Sequence, residues 1–476
     1  MSIKQYPIGF GADALIYAKS VALIGVSGNP NKKSVVGGTA VLNNLVRFGY
    51  KGKIYPINPK YDEISGQKCY ASIEDVPEKV DLVVIAVAAP SVPDTVESCG
   101  RAGARSAIII TSGFAELMTD EGKSLQHEIV EIANKYDLRL LGPNNLGSFN
   151  MNDGMCASTS SSLLYYDSMP KGSIAWVSQS GAMCSSIYGR AMDAAINVPV
   201  VITTGNECDL EASDFVWHLV DDDRISVICV YCEGIKDREK FKAACAKAKK
   251  AKKPVLVFKN GKTARGGYAC GAHTASDAGN MEEYKVFFAE CGAIMVDSID
   301  EFFDTANLLD RWKDYGDIDK FAVISTSGGS GVCLTDCVEQ AGMKVPDLSD
   351  DVRNAVMSKI PDFASPRNPI DVTAHILRTI EKVAEVGEIL EKSGEVDAMI
   401  LAPTTIERSA SLAIAKDFID IIHKSKIPAL VHWYTGSTNM EAIRMIRDAG
   451  IPAFTEYDSI GRAFKRRKEY FNMLNK

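Results

Sequence analysis

Three times along the chain, short apolar runs rich in valine and isoleucine alternate with stretches of helical period. That alternation restricts the fold to open parallel sheets with helices on both faces. The first set lies within residues 1–150: SVALIGV, GKIYPIN, DLVVIAVA, SAIIITSG and LRLLG. A second starts at Gly172 with GSIAWVSQSG, VPVVITTGN, ISVICVYCE and KPVLVFKNG, and a third at Lys320 with KFAVISTSGGSG, VDAMILAP and IPALVHWYTG. The runs are almost continuously apolar, as strands covered on two sides must be. The second and third sets open alike, with Ser178-Gln179-Ser180-Gly181 and Ser325-Thr326-Ser327-Gly328. They read as two related units about 148 residues apart, separated by a polar joint from Arg311 to Asp317.

Composition narrows the partners. Lys+Arg number 53 against Asp+Glu 61, a net charge of −8. That excludes a generally basic nucleic-acid binder and leaves only a local patch for a phosphorylated ligand. A length of 476 residues fits about three domains. No apolar run approaches the roughly 20 residues of a membrane span, and MSIKQYPIGF has no charged-then-apolar leader, so a cytoplasmic chain without membrane contact is expected. The 12 cysteines are dilute and sit in apolar runs, as reduced thiols do. Cys229-x-x-Cys232 has redox or zinc spacing, but lies in a strand where residues three apart point to opposite faces. Lys247 to Lys253 reads as the solvated end of a helix.

The first strand runs into Gly25-Val26-Ser27-Gly28-Asn29-Pro30-Asn31-Lys32-Lys33-Ser34 ahead of a helix. This is where parallel sheets bind phosphates, although the full G-x-G-x-x-G fingerprint is missing and a plain tight turn is the alternative. The second strand ends in Asn58-Pro59-Lys60, where a nicotinamide dinucleotide would meet an acidic residue. Lysine there favours an extra phosphate, as in CoA or NADP. Two motifs fail. Asn260-Gly261-Lys262-Thr263 lacks the first P-loop glycine, because Leu256 occupies its position. The Ser180 turn has Ser178 and Ala182 where a hydrolase elbow needs glycine. Three features converge on phosphate chemistry: His273, expected in an accessible loop of small residues; Glu233, at the carboxyl end of a buried strand; and Ser178-Gln179-Ser180-Gly181-Ala182, which opens a helix whose N–H groups would face an anion.

These segments, in order, resemble the α subunit of ADP-forming (NDP-forming) acyl-CoA synthetases, the superfamily of succinyl-CoA synthetase. The resemblance rests on SVALIGVSGNPNKKSVV, SGFAE at Ser112 to Glu116, GPNNLG at Gly142 to Gly147, VSQSGA, TTGNECDLEASDF, YCEGIKDREKF, GAHTASDAG, TSGGSGV and NPIDVT at Asn368 to Thr373. It implies a Rossmann-like CoA-binding domain at 1–150, then two flavodoxin-like CoA-ligase domains at 151–312 and 313–476. It implies His273 as the phosphate carrier, Glu233 as its carboxylate, and Ser180, Gly181 and Ala182 as the phosphate-binding turn. For CoA it implies Gly25, Ser27, Lys33, Asn58, Pro59, Lys60, Ser112 and Gly113, with Asn144 near the thiol. The implied reaction interconverts acyl-CoA, phosphate and ADP with free acid, CoA and ATP through an acyl phosphate and a phosphohistidine. Nothing in the chain resembles the ATP-grasp region, so a separate β subunit carrying ADP or ATP with Mg²⁺ is expected, in an α2β2 assembly. Asn145 stands where relatives often have cysteine, with an effect on the acyl pocket expected, and Ala275 where glycine is usual. A CoA-binding scaffold without catalysis is the second reading; an NADP-linked oxidoreductase is disfavoured, since no hydride-transfer constellation is visible.

Overall fold

The computed structural model describes residues 4–29, 37–274 and 280–475, except the side chains of 271–274 and 377–378. Lys33 and Ala275 lie outside the described residues. Two compact units result: residues 1–192 with 197–297, and 193–196 with 298–476.

The first unit holds two sheets. In the first, β1 (Ser20–Ile24), β2 (Lys53–Ile57), β5 (Leu82–Ile85), β6 (Ser106–Ile109) and β7 (Arg139–Leu141) are all parallel, in the order β2-β1-β5-β6-β7. The short antiparallel pair β3 (Glu63–Ile64) and β4 (Gln67–Lys68) follows β2. All five expected runs are therefore strands of this sheet. One face packs Val83, Ile85, Ile109 and Leu140 against Val92, Val96 and Ile129. The other shares a core with the second sheet, joining Val21, Leu23 and Ile108 to Val177, Ile202 and Phe215.

The second sheet runs β14-β13-β12-β10-β11-β8-β9. Its strands are β8 (Gly147–Asn150), β9 (Met155–Ser158), β10 (Ile174–Ser178), β11 (Val200–Thr203), β12 (Val227–Cys232), β13 (Val255–Lys259) and β14 (Ile294–Val296). Strands β10 to β14 are parallel, whereas β8 and β9 form an antiparallel hairpin on the β11 side. This hairpin stitches the sheets together: Asn44 Nδ2, on the helix Gly38–Arg47 of the first sheet, donates to Ser158 O at 2.8 Å, and Ser148 Oγ donates to Leu15 O at 2.6 Å. At the opposite ends of β7 and the loop after β11, Arg139 and Asp209 form a two-pronged ion pair with both bonds at 2.8 Å.

The second unit holds the third sheet, β16-β15-β17-β18-β19, all parallel: β15 (Phe321–Ser325), β16 (Ile370–Asp371), β17 (Ala398–Ala402), β18 (Ala429–His432) and β19 (Ala453–Phe454). The expected polar joint is an interior piece of this unit. Trp312 is buried and stacks near Phe321 and Phe464, because the helix Ile299–Arg311 packs with the third sheet. By compactness, the second unit takes in this helix from Ser298 onward. The lysine run also does more than meet solvent. Lys247 Nζ donates to Trp217 O, and Lys253 Nζ donates to Val220 O and Asp222 O. These cations sit on the carbonyls ending the helix Ala212–Leu219, where the helix dipole is negative.

In each sheet the first long strand is flanked on one side by the second and on the other by the third. Chain direction reverses its winding there, and such switch points open a crevice at the carboxyl ends of the strands.

Candidate active site

Every described residue singled out for CoA or phosphate lies at the carboxyl end of a strand in the first unit. After β1, Gly25 has φ +96°, and a Cβ there would stand 2.3 Å from Ala86 O. Only glycine lets the β1 and β5 loops pass this closely. Ser27 N–H donates to Thr39 Oγ1 at 2.9 Å, which ties the turn to the following helix. After β2, Asn58 Nδ2 donates to Val26 O at 2.8 Å, and Asn58 Oδ1 accepts from Lys60 N–H at 3.0 Å. Asn58 thus fixes the Pro59 and Lys60 turn beside the first loop, with Lys60 exposed.

After β6, Ser112 and Gly113 turn under a carboxylate. Glu116 Oε1 accepts from Gly113 N–H at 2.6 Å, and both its oxygens accept from Phe114 N–H at 3.2 Å. After β7, Asn144 takes the left-handed conformation at φ +59°, and its N–H donates to Thr111 O at 2.9 Å. Asn145 is buried and wholly committed to backbone. Its Nδ2 donates to Ile109 O at 2.9 Å and Leu141 O at 3.2 Å, and its Oδ1 accepts from Gly147 N–H at 2.6 Å. Asn145 thus braces the ends of β6 and β7.

The second sheet presents its own loops to this edge. After β10, Ser178 Oγ donates to Ser180 O at 2.9 Å, and the helix Gly181–Asp193 follows at once. Ser180 is buried, and a Cβ on Gly181 would meet the Leu146 side chain at 2.8 Å. Ala182 is the second residue of this helix. After β12 comes Glu233, 4% exposed.

His273 lies in the helix Ala264–Thr274, not in the loop expected for it. Thr263 Oγ1 accepts from Gly266 N–H at 3.0 Å at the start of this helix, and Ala264, Ala269 and Ala272 supply the residue type that favours helix most. The glycines that suggested a loop are outweighed. The failed P-loop tail Asn260–Thr263 is the turn that starts this helix. Cys270, one turn before His273, is buried, and burial together with the nearby Glu233 raises its thiol pKa.

Gln179, which the sequence reading named only as part of the Ser178–Ala182 turn, and Glu207, Asn206 and Lys259, to which it gave no role, complete the site. Gln179 clamps the segment after β12, since its Oε1 accepts from Glu233 N–H at 2.6 Å and its Nε2 donates to Gly234 O at 2.8 Å. Gln179 Nε2 also donates to Glu207 Oε2 at 2.8 Å. Glu207 is buried at φ +50° and accepts from Thr204 Oγ1 at 2.9 Å and Ala212 N–H at 3.0 Å; burial holds its carboxyl above the ordinary value. Asn206 Nδ2 donates to Glu116 Oε2 at 2.5 Å, and its Oδ1 accepts from Asn144 Nδ2 at 3.3 Å. Lys259, fully buried at the end of β13 beside Cys232, donates to Asn260 O at 2.6 Å and lies 4.7 Å from the Tyr284 ring centroid. Lys259 ends the apolar run of β13 and Gln179 directly follows β10, whereas Asn206 and Glu207 lie beyond Thr204 and Gly205 in the loop after β11, with no comparable signal in the sequence.

The result is one bonded set across the edges of two sheets. Gly113 and Asn144 reach Asn206; the next residue, Glu207, reaches Gln179 and through it Glu233. Lys236 Nζ locks the joint by donating to Asn206 O at 2.6 Å and Glu207 O at 3.0 Å. Among the described residues there is no group of three or more His, Cys, Asp or Glu placed to hold a metal ion, and no helix is long and apolar enough to cross a membrane.

A Rossmann-like sheet whose loops meet those of a flavodoxin-like sheet defines the class: a chain of the succinyl-CoA ligase type. Family models match in that order, a CoA binding domain at residues 19–150, a succinyl-CoA ligase like flavodoxin domain at 171–309 and a ligase-CoA domain at 321–427. The α subunit of acetate–CoA ligase [ADP-forming] I from Pyrococcus furiosus is 33% identical over 93% of this chain and 94% of its own length. Acetate–CoA ligase [ADP-forming] I from Archaeoglobus fulgidus is 34% identical over 93% of this chain, which spans only 61% of that protein. Among solved structures, the dinucleotide forming acetyl-coenzyme A synthetase 1 of Candidatus Korarchaeum cryptofilum, in complex with phosphate and ADP, superposes with a TM-score of 0.87 at 28% identity, covering 98% of both chains. The chain belongs to the family of ADP-forming acyl-CoA synthetases and matches its α subunit.

Proposed function

We propose that this chain is the α subunit of an ADP-forming acyl-CoA synthetase, interconverting acyl-CoA, phosphate and ADP with carboxylic acid, CoA and ATP. CoA lies along the carboxyl edge of the first sheet, over the loops of Gly25, Ser27, Asn58, Pro59, Lys60, Ser112 and Gly113, with its thioester near Asn144. A phosphate oxygen attacks the thioester carbonyl; the C–S bond breaks, CoA leaves as the thiol and an acyl phosphate forms. A ring nitrogen of His273 then takes the phosphoryl group, and the carboxylate departs with the P–O electron pair. Glu233 holds the imidazole in orientation and stabilises its cationic form. The helix start at Ser180, Gly181 and Ala182 receives the phosphohistidine's charge. A nitrogen nucleophile thereby divides one transfer into two easier ones.

The observation that carries this reading is the bonded set from Gly113 and Asn144 to Glu233. It brings a CoA-type edge and a phosphate-type edge to one place within one compact unit. The nucleotide, with its Mg²⁺, belongs to a separate ATP-grasp β subunit in an α2β2 assembly; that two relatives are named as α subunits supports a partner subunit. The cysteines of the described residues form no disulfide, which accords with a cytoplasmic enzyme.

The test adds labelled phosphate to the full chain with a panel of acyl-CoAs including acetyl-CoA, with and without an ATP-grasp partner. An acid-labile, base-stable label that disappears in His273→Ala is expected. CoA binding without label, under every condition, would establish the scaffold reading instead.

A further inference from the structure

Gln179 is the first residue after β10, and all the hydrogen-bonding capacity of its side chain is used. The amide oxygen accepts two backbone N–H groups, from Glu233 at 2.6 Å and Gly234 at 3.3 Å. The amide nitrogen donates twice, to Gly234 O and to Glu207 Oε2, both at 2.8 Å. This fixes the amide's orientation, because a flipped group would point N–H at N–H and oxygen at carboxylate. Only a neutral amide meets all four partners: a carboxylate would repel Glu207, and an ammonium could not accept from the backbone. Gln179 N–H donates in turn to Tyr231 O at 3.0 Å, so the backbone of β10 and the side chain both grip the end of β12.

The next residue is Ser180, where the phosphate-type turn begins. One residue thus ties that turn to the backbone of Glu233. We infer that Gln179, held in place by Glu207, is a positioning residue for the phosphoryl transfer to His273, setting the direction in which Glu233 leaves the sheet edge. The inference rests on the reading of His273 and Glu233 given above.

Two variants separate positioning from mere folding. Gln179→Met keeps the volume and removes all four side-chain bonds. Gln179→Glu keeps the acceptor and sets two carboxylates at bonding distance in a buried place, where both cannot ionise. The charged and titratable groups around that pair are Glu233 and Cys232 at the end of β12, Lys236 beyond it, and Glu211 with its partners Lys240 and Asp214. With one proton shared between the two carboxyl groups, the introduced one would accept from Glu233 N–H and donate to Glu207, restoring most of the clamp.

The experiment measures the rate of His273 labelling from acetyl-CoA and labelled phosphate, using the full chain with its ATP-grasp partner, across pH, together with the KM for acetyl-CoA. For Gln179→Met the labelling rate should fall about ten- to a hundredfold, the range for losing a group that orients a reactive one, with KM within about twofold of wild type. For Gln179→Glu the rate should approach wild type at low pH and fall as the pH rises, a limb absent from wild type. Labelling of both variants at the wild-type rate across pH would overturn the inference, and so would a loss of acetyl-CoA affinity equal to the loss of rate. If Gln179→Met does not fold, the Gln179→Glu profile decides. An unlabelled wild-type chain would instead overturn the phosphohistidine reading itself.

Discussion

At Gly205 the two sheet edges come close together, and a single methyl group there tests whether that closeness matters. The residue has φ +60°, and a Cβ would stand 2.3 Å from Pro143 O and 2.5 Å from Asn144 O. Gly205→Ala therefore places an L-residue in left-handed backbone, at about 1–2 kcal/mol, and drives its methyl group about 1 Å inside van der Waals contact with two carbonyls. The loops must part by a similar distance. Parting weakens the bond from Asn206 N–H to Pro143 O, 3.0 Å long, and a buried bond lost costs about 1–3 kcal/mol. Together these give about 2–5 kcal/mol, or a fall in Tm of about 4–20 °C at 2–4 °C per kcal/mol for a unit this large. Because the same loops carry Asn144 and Glu207, a 1 Å displacement should also slow His273 labelling by about a hundredfold. Gly189 is the control: it lies in the helix Gly181–Asp193 with open space around its would-be Cβ, so Gly189→Ala should hold or raise Tm, by up to about 1 kcal/mol of helix propensity. Scanning calorimetry and the labelling rate check both. A Gly205→Ala chain that melts and labels like wild type would refute the claim that the two edges are held in contact at this point.

Two further outcomes follow from buried polar groups. Burial pushes the Glu211 carboxyl up from 4.5 to about 7, with Lys240 opposing it. The folded chain thus holds a proton that the unfolded chain releases between those values, and this group's contribution to stability falls as the pH rises through that window. Glu211→Gln should match wild type near pH 4.5 and exceed it by about 3 kcal/mol near pH 8; urea unfolding at both values checks the sign, and a widening deficit at high pH would contradict it. Asn145→Cys removes the brace across Ile109, Leu141 and Gly147 and should cost about 2–4 kcal/mol in the same assay, whereas unchanged stability would show that the brace is dispensable.

Most of the parallel strands were legible because they are buried runs rich in Val, Ile and Leu bounded by turn residues. Strands β8 and β9 were not. GSFN and MCAS are short and contain no valine, isoleucine or leucine, yet every residue in them is buried, because antiparallel pairing with β11 and packing against the helix Gly38–Arg47 supply what their own composition lacks. Strands β16 and β19 have two residues each, too few for any period. At the site, Ser180 and Glu233 could be picked out from position alone, at the end of an apolar run. The importance of Gln179, Asn206 and Glu207 could not, since an amide or acid after a strand acquires meaning only from partners remote in the chain: Glu116 lies 90 residues from Asn206. The helix that holds His273 was obscured by its glycines, whose cost is small beside a good N-cap and three alanines.

That the joint between the two edges is polar, in a unit otherwise held by Val, Leu and Phe, has a physical rationale. Apolar side chains would bind the edges together but would leave their register soft, because dispersion contacts tolerate sliding. Hydrogen bonds at 2.5 to 3.3 Å between Glu116, Asn206 and Asn144 fix direction as well as distance. The cost is that a half-satisfied network of this kind is worse than none. Glu207 answers that requirement with three donors to its two oxygens, and Gln179 with four partners to its amide. In the proposed reaction a thioester on one sheet and a histidine served from the other would meet the same phosphate, which demands placement within a fraction of an ångström. A fully bonded amide and carboxylate network is the means by which these residue types hold the edges of two sheets in one compact unit to that tolerance.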